Sequence, residues 1–287
     1  VVSAMKGTTD ALIRCAQLAS KQDASWQSLL DDLLKRHRDA ADSLLTSNRP
    51  EADDFFDTEG ERLREVLHAL SLLKSLPDTA FEWVQGLGEV WSAYLLHAHL
   101  VSLGEQADYL DARKVLVVHD DNHLGIDIDW QASAANLKAW RAQHQANRVI
   151  VTGFIASDIE GKARVLGRNG SDWSGAIFAK LFSADELTIW TDVDGIMTAD
   201  PRLVPTAAVL PEVTYSEAAE LAYNGAKVLH PRTLAPLVEK GIPVWSKNSF
   251  NLAAPGTRIA PTVDAPQGPR AVTSMGNVAL VSIAPAD

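Results

Sequence analysis

The chain is short of cysteine, of positive charge and of long apolar runs, and each shortage closes off a class of protein. Its one cysteine, Cys15, cannot form an internal disulfide. A disulfide-stapled scaffold is thereby excluded, and a reducing, cytoplasmic setting is the expectation. Cys15 itself reads as a small buried apolar residue. Lys and Arg total 26 against 37 Asp and Glu, a net charge of −11. With that balance and no polybasic cluster, a nucleic-acid partner is not expected. No apolar run is long enough to span a bilayer, so a membrane partner is not expected either. The Gly-x-x-x-x-Gly-Lys-Ser/Thr phosphate loop and the protein-kinase signature set are both missing. The segment from His119 through Asp129 holds many potential metal ligands without a regular ligand spacing. It reads as a polar surface loop, and no protein metal site is expected.

What remains is a chain of 287 residues with 46% apolar composition, enough for one large or two modest domains with a sizeable core. Residues 24–47 and 55–77 carry apolar residues at helical spacing (Leu29, Leu30, Leu33, Leu34; Leu63, Val66, Leu67, Leu70, Leu73) and read as two amphipathic helices separated by Asn48-Arg49-Pro50. A third helix is expected from Asp78 to about Leu103. It contains Gly86 and Gly88, whose cost in a helix points to close packing or a nearby ligand. Gln106–Leu110 and Arg148–Thr152 read as strands, and residues 130–146 as a helix with Leu137 and Trp140 inward. A hairpin is expected through Asp158–Lys162. Helix and strand patterns continue through 214–223, Val228–Lys240 and Ile242–Ser246. Such alternation predicts an α/β fold with a mainly parallel central sheet and helices in layers on both faces.

The most informative stretch is Val165-Leu166-Gly167-Arg168-Asn169-Gly170-Ser171-Asp172-Trp173-Ser174. Gly167 and Gly170 bracket a tight turn where backbone can approach a ligand. Ser171 and Asp172 are good N-cap residues for the helical spacing that follows. A Gly-rich turn opening a helix offers free N–H groups and a positive dipole end to an anion. Arg168 adds a planar cationic fork suited to carboxylate or phosphate. The next strand, Glu186–Trp190, runs into Thr191, Asp192, Asp194 and Gly195, at the strand end where α/β sheets keep ligands.

These residues, with Thr152-Gly153-Phe154-Ile155, Thr198-Ala199-Asp200-Pro201-Arg202 and Gly225-Ala226-Lys227-Val228-Leu229-His230-Pro231-Arg232-Thr233, resemble the amino-acid kinase superfamily and specifically the aspartate kinases. The resemblance covers almost the whole chain and is densest over 149–260. It implies transfer of the γ-phosphoryl group of ATP, with Mg²⁺, to the side-chain carboxylate of L-aspartate, the first step toward lysine, methionine and threonine. In that reading Arg168 grips the substrate α-carboxylate and Glu89 its amino group. Thr9, Phe154 and Ser171 complete the substrate site, and Asp172 and Arg168 are the catalytic residues. Gly170, Thr191, Asp192, Met197, Arg202 and Lys247 bind the nucleotide, with Met197 standing where many relatives carry Tyr. Asn169 replaces a glycine of single-function members and is familiar in those fused to homoserine dehydrogenase or diaminopimelate decarboxylase.

The resemblance also sets expectations for the ends of the chain. The family's opening Lys-Phe-Gly-Gly-Thr-Ser strand, whose lysine neutralises the phosphoryl group in flight, does not occur, and Val1-Val2-Ser3-Ala4 read as the end of a strand. The expectation is part of a longer polypeptide, poorly active or inactive by itself. Residues 1–262 are expected to form the catalytic domain. Residues 263–287 are expected to be a linker and the first strand of an ACT-type regulatory region, over 271–274 and 277–283, through which a homodimer or higher homo-oligomer would assemble. The rival readings are another amino-acid kinase, such as a glutamate 5-kinase, and a non-catalytic amino-acid-binding fragment.

Overall fold

The computed structural model describes residues 1–121, 125–225, 229, 231–264 and 268–274. The chain divides into two compact units, Val1–Ser174 and Gly175–Asp287. Several expected segments, Asn122-His123, Ala226–Val228, His230 and the ACT-type strand 277–283, lie outside the described residues.

The first unit opens with five helices: α1 (Thr8–Ser20), α2 (Ser25–Leu44), α3 (Arg49–Leu73), α4 (Asp78–Gln85) and α5 (Leu87–Ser102). Leu30, Leu33 and Leu34 of α2 and Leu63, Leu67 and Leu70 of α3 are buried as their spacing predicts. Leu73 is not: it is 67% exposed, because α3 ends there and its last turn has nothing to pack against. Helix α3 also starts earlier than expected, at Arg49. Pro50 falls in its first turn, where a missing N–H costs nothing and the fixed φ favours the helix. The expected single helix from Asp78 to Leu103 is two, broken at Gly86. A Cβ at Gly86 would stand 2.5 Å from Ile155 Cγ2, so the break lets strand and helix meet. Cys15 is fully buried, and burial pushes its thiol up to about 11, as suits an inert apolar filler.

The strands of this unit are β1 (Ala107–Leu110), β2 (Val118–Asp121), β3 (Gly125–Ile128), β4 (Arg148–Val151), β5 (Ile155–Ser157) and β6 (Ala163–Val165), with α6 (Trp130–Gln143) before β4. A short 3-10 turn, Ala112–Lys114, is capped by Asp111, whose carboxylate also takes a two-point bond from Arg113. Strands β1 and β4 are parallel, and Val2 pairs with Thr152 on the other edge of β4. Two bonds fix that edge, Val2 N–H to Val151 O at 2.8 Å and Gly153 N–H to Val2 O at 2.8 Å. On either side of residues 122–124 the chain forms the antiparallel strands β2 and β3 where a surface loop was expected, and Arg164 holds Asp120 with two bonds of 2.6 and 3.2 Å. Helix α7 (Gly170–Leu181) carries the chain from the first unit into the second.

The second unit contains β7 (Leu187–Thr191), β8 (Glu212–Thr214), α8 (Tyr215–Tyr223), α9 (Pro231–Lys240), β9 (Val244–Asn248) and β10 (Thr257–Ala260). Its sheet has the order β7-β9-β10-β8, with β7/β9 and β10/β8 parallel and β9/β10 antiparallel. Ile189, Val213, Tyr215, Leu234, Leu237, Val244 and Ile259 form its core. Thr214 caps α8 through a reciprocal capping box with Glu217.

The fold is α/β, as expected, with helices and mixed sheets. Among the described residues the strands make four separate ladders, and β4 and β7 lie in different ones. The sheets are mixed because β5/β6 and β9/β10 are joined by connections, 158–162 and 249–256, too short for a parallel crossover.

Candidate active site

In the first unit a concave site of about 260 Å³ is lined by Thr9, Glu89, Phe154, Gly167, Asn169, Gly170, Ser171 and Asp172. They come from four places in the sequence: the start of α1, the start of α5, the turn between β4 and β5, and the turn that opens α7. The turn is left-handed at consecutive points, with φ of +76° at Gly167 and +58° at Asn169, which directs the backbone around the mouth of the site. Helix α7 then presents the N–H groups of its first turn.

Glycine makes the close approaches possible. At Gly170 a Cβ would sit 2.6 Å from Phe154 Cδ2, and at Gly88 one would sit 2.8 Å from Ala4 Cβ and 2.9 Å from Thr8 Cγ2. The first lets the Phe154 ring close one wall; the second lets α5 press its N-terminal turn onto α1. Glu89 is consequently buried, 4% exposed, and its Oε2 has no hydrogen-bond partner in the protein. Burial pushes its carboxyl up to about 7, against hydrogen bonds from the backbone at Ala4 and at Glu89 itself. The Thr8 hydroxyl beside it is likewise buried without a partner. A buried acceptor next to an open site is chemically matched to an ammonium group arriving with a ligand. Burial also raises the Asp172 carboxyl above its usual range.

Ser174, which sequence reasoning left unassigned, joins two walls. Its Oγ accepts from the Phe154 N–H at 2.8 Å and its hydroxyl donates to Gly170 O at 2.9 Å. Phe154 needs this anchor because it is held at φ +65°, a conformation uncommon for a side chain of that size. Ser174→Ala leaves that N–H without its acceptor and is expected to destabilise the protein by about 1–3 kcal/mol, read as a shift in urea midpoint. Its sequence signal was only a hydroxyl one turn into a helix, which is usually solvated.

Arg168 is exposed on the turn between Gly167 and Asn169 and is not among the residues that line the site. Gly170, assigned by resemblance to the nucleotide, lines this first-unit site with the substrate residues.

In the second unit another site, of about 270 Å³, is lined by Val193, Gly195, Met197, Asp200, Arg202 and Val272, among others. Arg202 is held by Asp200, with Nη2–Oδ2 at 2.6 Å and Nε–Oδ1 at 3.0 Å. Thr191, Asp192 and Lys247 stand apart from its lining, at the carboxyl ends of β7 and β9. The Lys247 ammonium lies 4.9 Å from the Trp245 ring centre, and Asp194 accepts from Asn248 at 2.7 Å. Two of the six nucleotide assignments, Met197 and Arg202, therefore share this site. Among the described residues, no three His, Cys, Asp or Glu side chains gather to hold a metal ion, and no helix is long and apolar enough to cross a membrane.

Comparison with known proteins gives a consistent answer. Residues 1–248 match the amino acid kinase family. The chain is 38% identical, over 292 aligned positions, to bifunctional aspartokinase/homoserine dehydrogenase 1, chloroplastic, of Arabidopsis thaliana, an alignment covering 99% of this chain and 32% of that protein. It is 36% identical to bifunctional aspartokinase/homoserine dehydrogenase 2 of Escherichia coli, covering 98% of this chain and 34% of that one. It thus spans about a third of the length of these curated relatives. Among solved structures, Escherichia coli aspartokinase III in complex with aspartate and ADP (R-state) superimposes with a TM-score of 0.77 at 32% identity, over 94% of this chain and 59% of that one. The chain belongs to the amino acid kinase family, and within that family its similarity runs to the aspartokinases.

Proposed function

We propose that this chain is the kinase portion of an aspartokinase, in which the side-chain carboxylate of L-aspartate attacks the γ-phosphorus of ATP to give 4-phospho-L-aspartate and ADP. The observation that carries this reading is the buried, unpartnered Glu89 Oε2 in a site that also holds Thr9, Phe154, Ser171 and Asp172. Glu89 receives the substrate ammonium. Arg168, one residue from the lining on either side, swings to the α-carboxylate. Thr9 and Ser171 supply neutral polar contacts, and Phe154 sets the depth of the site. The attacking carboxylate is already ionised at neutral pH, so no base has to remove a proton. One oxygen of that carboxylate bonds to phosphorus as the bond to the β-phosphate bridging oxygen breaks, and the electron pair leaves with ADP. Catalysis is then positioning and charge neutralisation. The first-turn N–H groups of α7 and the ordering of Asp172 serve that end.

The nucleotide is assigned to the second unit, to Thr191, Asp192, Met197, Arg202 and Lys247. The strand-end placement of Thr191, Asp192 and Lys247 supports this, as does the apolar surface offered by Met197. Mg²⁺ fits the chain as an ion carried on the nucleotide phosphates, its usual way of binding to such enzymes. The catalytic part is taken as residues 1–262. Fusion to a homoserine dehydrogenase, assembly through an ACT-type region and a cytoplasmic setting belong to this same reading.

The experiment is a pair of titrations in the 287-residue chain, of L-aspartate and of MgADP, backed by trapping of the acyl phosphate with hydroxylamine in the full-length polypeptide. Arg168→Lys keeps the charge but loses the planar two-point grip. It is expected to weaken aspartate by about 1–3 kcal/mol and to leave MgADP unchanged. Lys247→Ala is expected to do the reverse. An exchange of the two effects would mean that the sites are misassigned. Unchanged aspartate binding in Arg168→Lys would remove Arg168 from the reading.

A further inference from the structure

The segment that follows the last strand of the second unit is not a free tail. Arg270 donates to Glu217 Oε1 at 3.0 Å and Oε2 at 3.2 Å, and also to the backbone oxygen of Glu212. Val272 N–H donates to Thr198 O at 2.8 Å, and the Thr273 hydroxyl donates to Asn224 O at 2.8 Å. Val272, Thr273 and Ser274 thereby form one wall of the second-unit site, across from Met197 and Arg202.

The opposite side of the Met197–Arg202 loop is pinned by a different set of bonds. Met197 bridges to Val209, Thr198 N–H donates to Ala208 O at 2.8 Å, and Ala208 N–H donates to the Thr198 hydroxyl at 3.0 Å. The loop is therefore held from both sides, once by its own hairpin and once by the segment 270–274. Val272 nevertheless leaves 71% of its surface exposed, beside a site whose apolar lining includes Val193, Ile196 and Met197. Exposed apolar area facing an open site is area that a flat apolar ligand face can cover.

We propose that residues Arg270–Thr273 are a strap that positions the Met197–Arg202 loop and completes the wall against which the base of the nucleotide packs. This rests on the nucleotide reading of the second unit and extends it to residues 270–273; the ACT-type strand expected over 271–274 does not form there. Arg270, Val272 and Thr273 act here as positioning residues, and Glu217 is the anchor. Glu217 is also the partner of Thr214 in the α8 capping box, so one carboxylate serves both the helix cap and the strap.

The test is isothermal titration of MgADP and of L-aspartate into the 287-residue chain and four variants. Thr273→Val removes the hydroxyl with almost no change in shape, and Thr273→Ser keeps it. Arg270→Gln removes the pair with Glu217. Met197→Asp probes the nucleotide reading itself. Loss of one such hydrogen bond corresponds to about a fivefold change in dissociation constant. The expected result is MgADP weakened about fivefold in Thr273→Val and by at least as much in Arg270→Gln. Thr273→Ser should bind like the unaltered chain, and aspartate affinity should be the same in all of them. If Met197→Asp weakens MgADP but Thr273→Val and Arg270→Gln do not, the strap is overturned while the nucleotide reading stands. If MgADP binds equally well to Met197→Asp, or does not bind the unaltered chain, the nucleotide reading fails and the strap falls with it. Should Arg270→Gln misfold, Thr273→Val against Thr273→Ser decides alone, since a structural defect would not be repaired by restoring one hydroxyl.

Discussion

Glu89→Gln is expected to weaken L-aspartate binding about 100-fold at pH 8, the scale of removing one charge from a buried ionic contact, and at the same time to make the ligand-free protein more stable. The two effects have opposite signs because the carboxylate is buried with its Oε2 unpartnered until the ligand arrives. In the free protein burial holds the Glu89 carboxyl at about 7, up from its ordinary 4.5. The folded state therefore binds more protons than the unfolded chain between these two values. Stability falls as pH rises across that window and stays lower above it, by about 3 kcal/mol in total. Glutamine carries no charge to desolvate and escapes this loss. Aspartate binding runs the other way. Below pH 7 Glu89 is protonated and offers no anion to the substrate ammonium. Above it the anion is present, so affinity should climb between pH 6 and pH 8. Glu89→Gln should abolish the climb. Calorimetric titration at three pH values and thermal melts at pH 8 read both halves. A pH-independent aspartate affinity, together with a variant less stable than the parent at pH 8, would take Glu89 out of the substrate site.

A second large effect is expected at Gly195, in the turn after β7. Its φ is +144°, a backbone conformation that L side chains rarely adopt, and a Cβ there would lie 2.5 Å from Thr257 Oγ1, 2.9 Å from Val209 Cγ1 and 3.1 Å from Thr257 N. Thr257 cannot simply give way. Its hydroxyl is fully buried, accepting from Ile196 N–H at 2.8 Å and donating to Leu210 O at 2.7 Å. Gly195→Ala therefore combines backbone strain with overpacking against a fixed hydrogen-bonded group. It is expected to destabilise by about 3 kcal/mol or more, and to weaken MgADP through displacement of the Met197–Arg202 loop that follows. By contrast, Gly167→Ala meets nothing within 4 Å at its Cβ and carries only the strain of φ +76°, so its cost should be about 1 kcal/mol. Chemical denaturation of the two variants side by side checks the ranking; equal losses would mean that space around Gly195 is not the controlling factor.

The helices of the first unit were largely legible from the chain, because the apolar spacing of Leu30, Leu33, Leu34 and of Leu63, Leu67, Leu70 states directly which face is buried. The tight turn at Gly167 to Gly170 was legible from its two glycines, whereas Ser171 and Asp172, expected to cap the helix, lie inside its first turn because α7 begins at Gly170. Its kinship was legible too, since Leu166-Gly167-Arg168 and the Thr191–Gly195 run are local strings whose order survives without any knowledge of contacts. Boundaries that hung on a single residue were not. Pro50 started a helix that it was expected to delimit, and Gly86 broke one that it was expected only to burden. Strand partnership was less legible still. An apolar run such as Arg148–Val151 names itself as a strand but not its neighbours, here β1 and the bridge at Val2.

The sequence by itself determined most element types, the glycine turn, the kinship and the acidic composition, because each of these resides in residues adjacent along the chain. The resemblance had already grouped Thr9, Glu89, Phe154 and Ser171; only the tertiary structure decided that Ser174 ties two walls of that site together, and that Arg270–Thr273 return to close the other. These depend on approach distances between segments tens of residues apart. Whether Gly88 lets α5 touch α1, or whether the Thr273 hydroxyl reaches Asn224, is settled by packing, and packing has no signature in the order of residues alone.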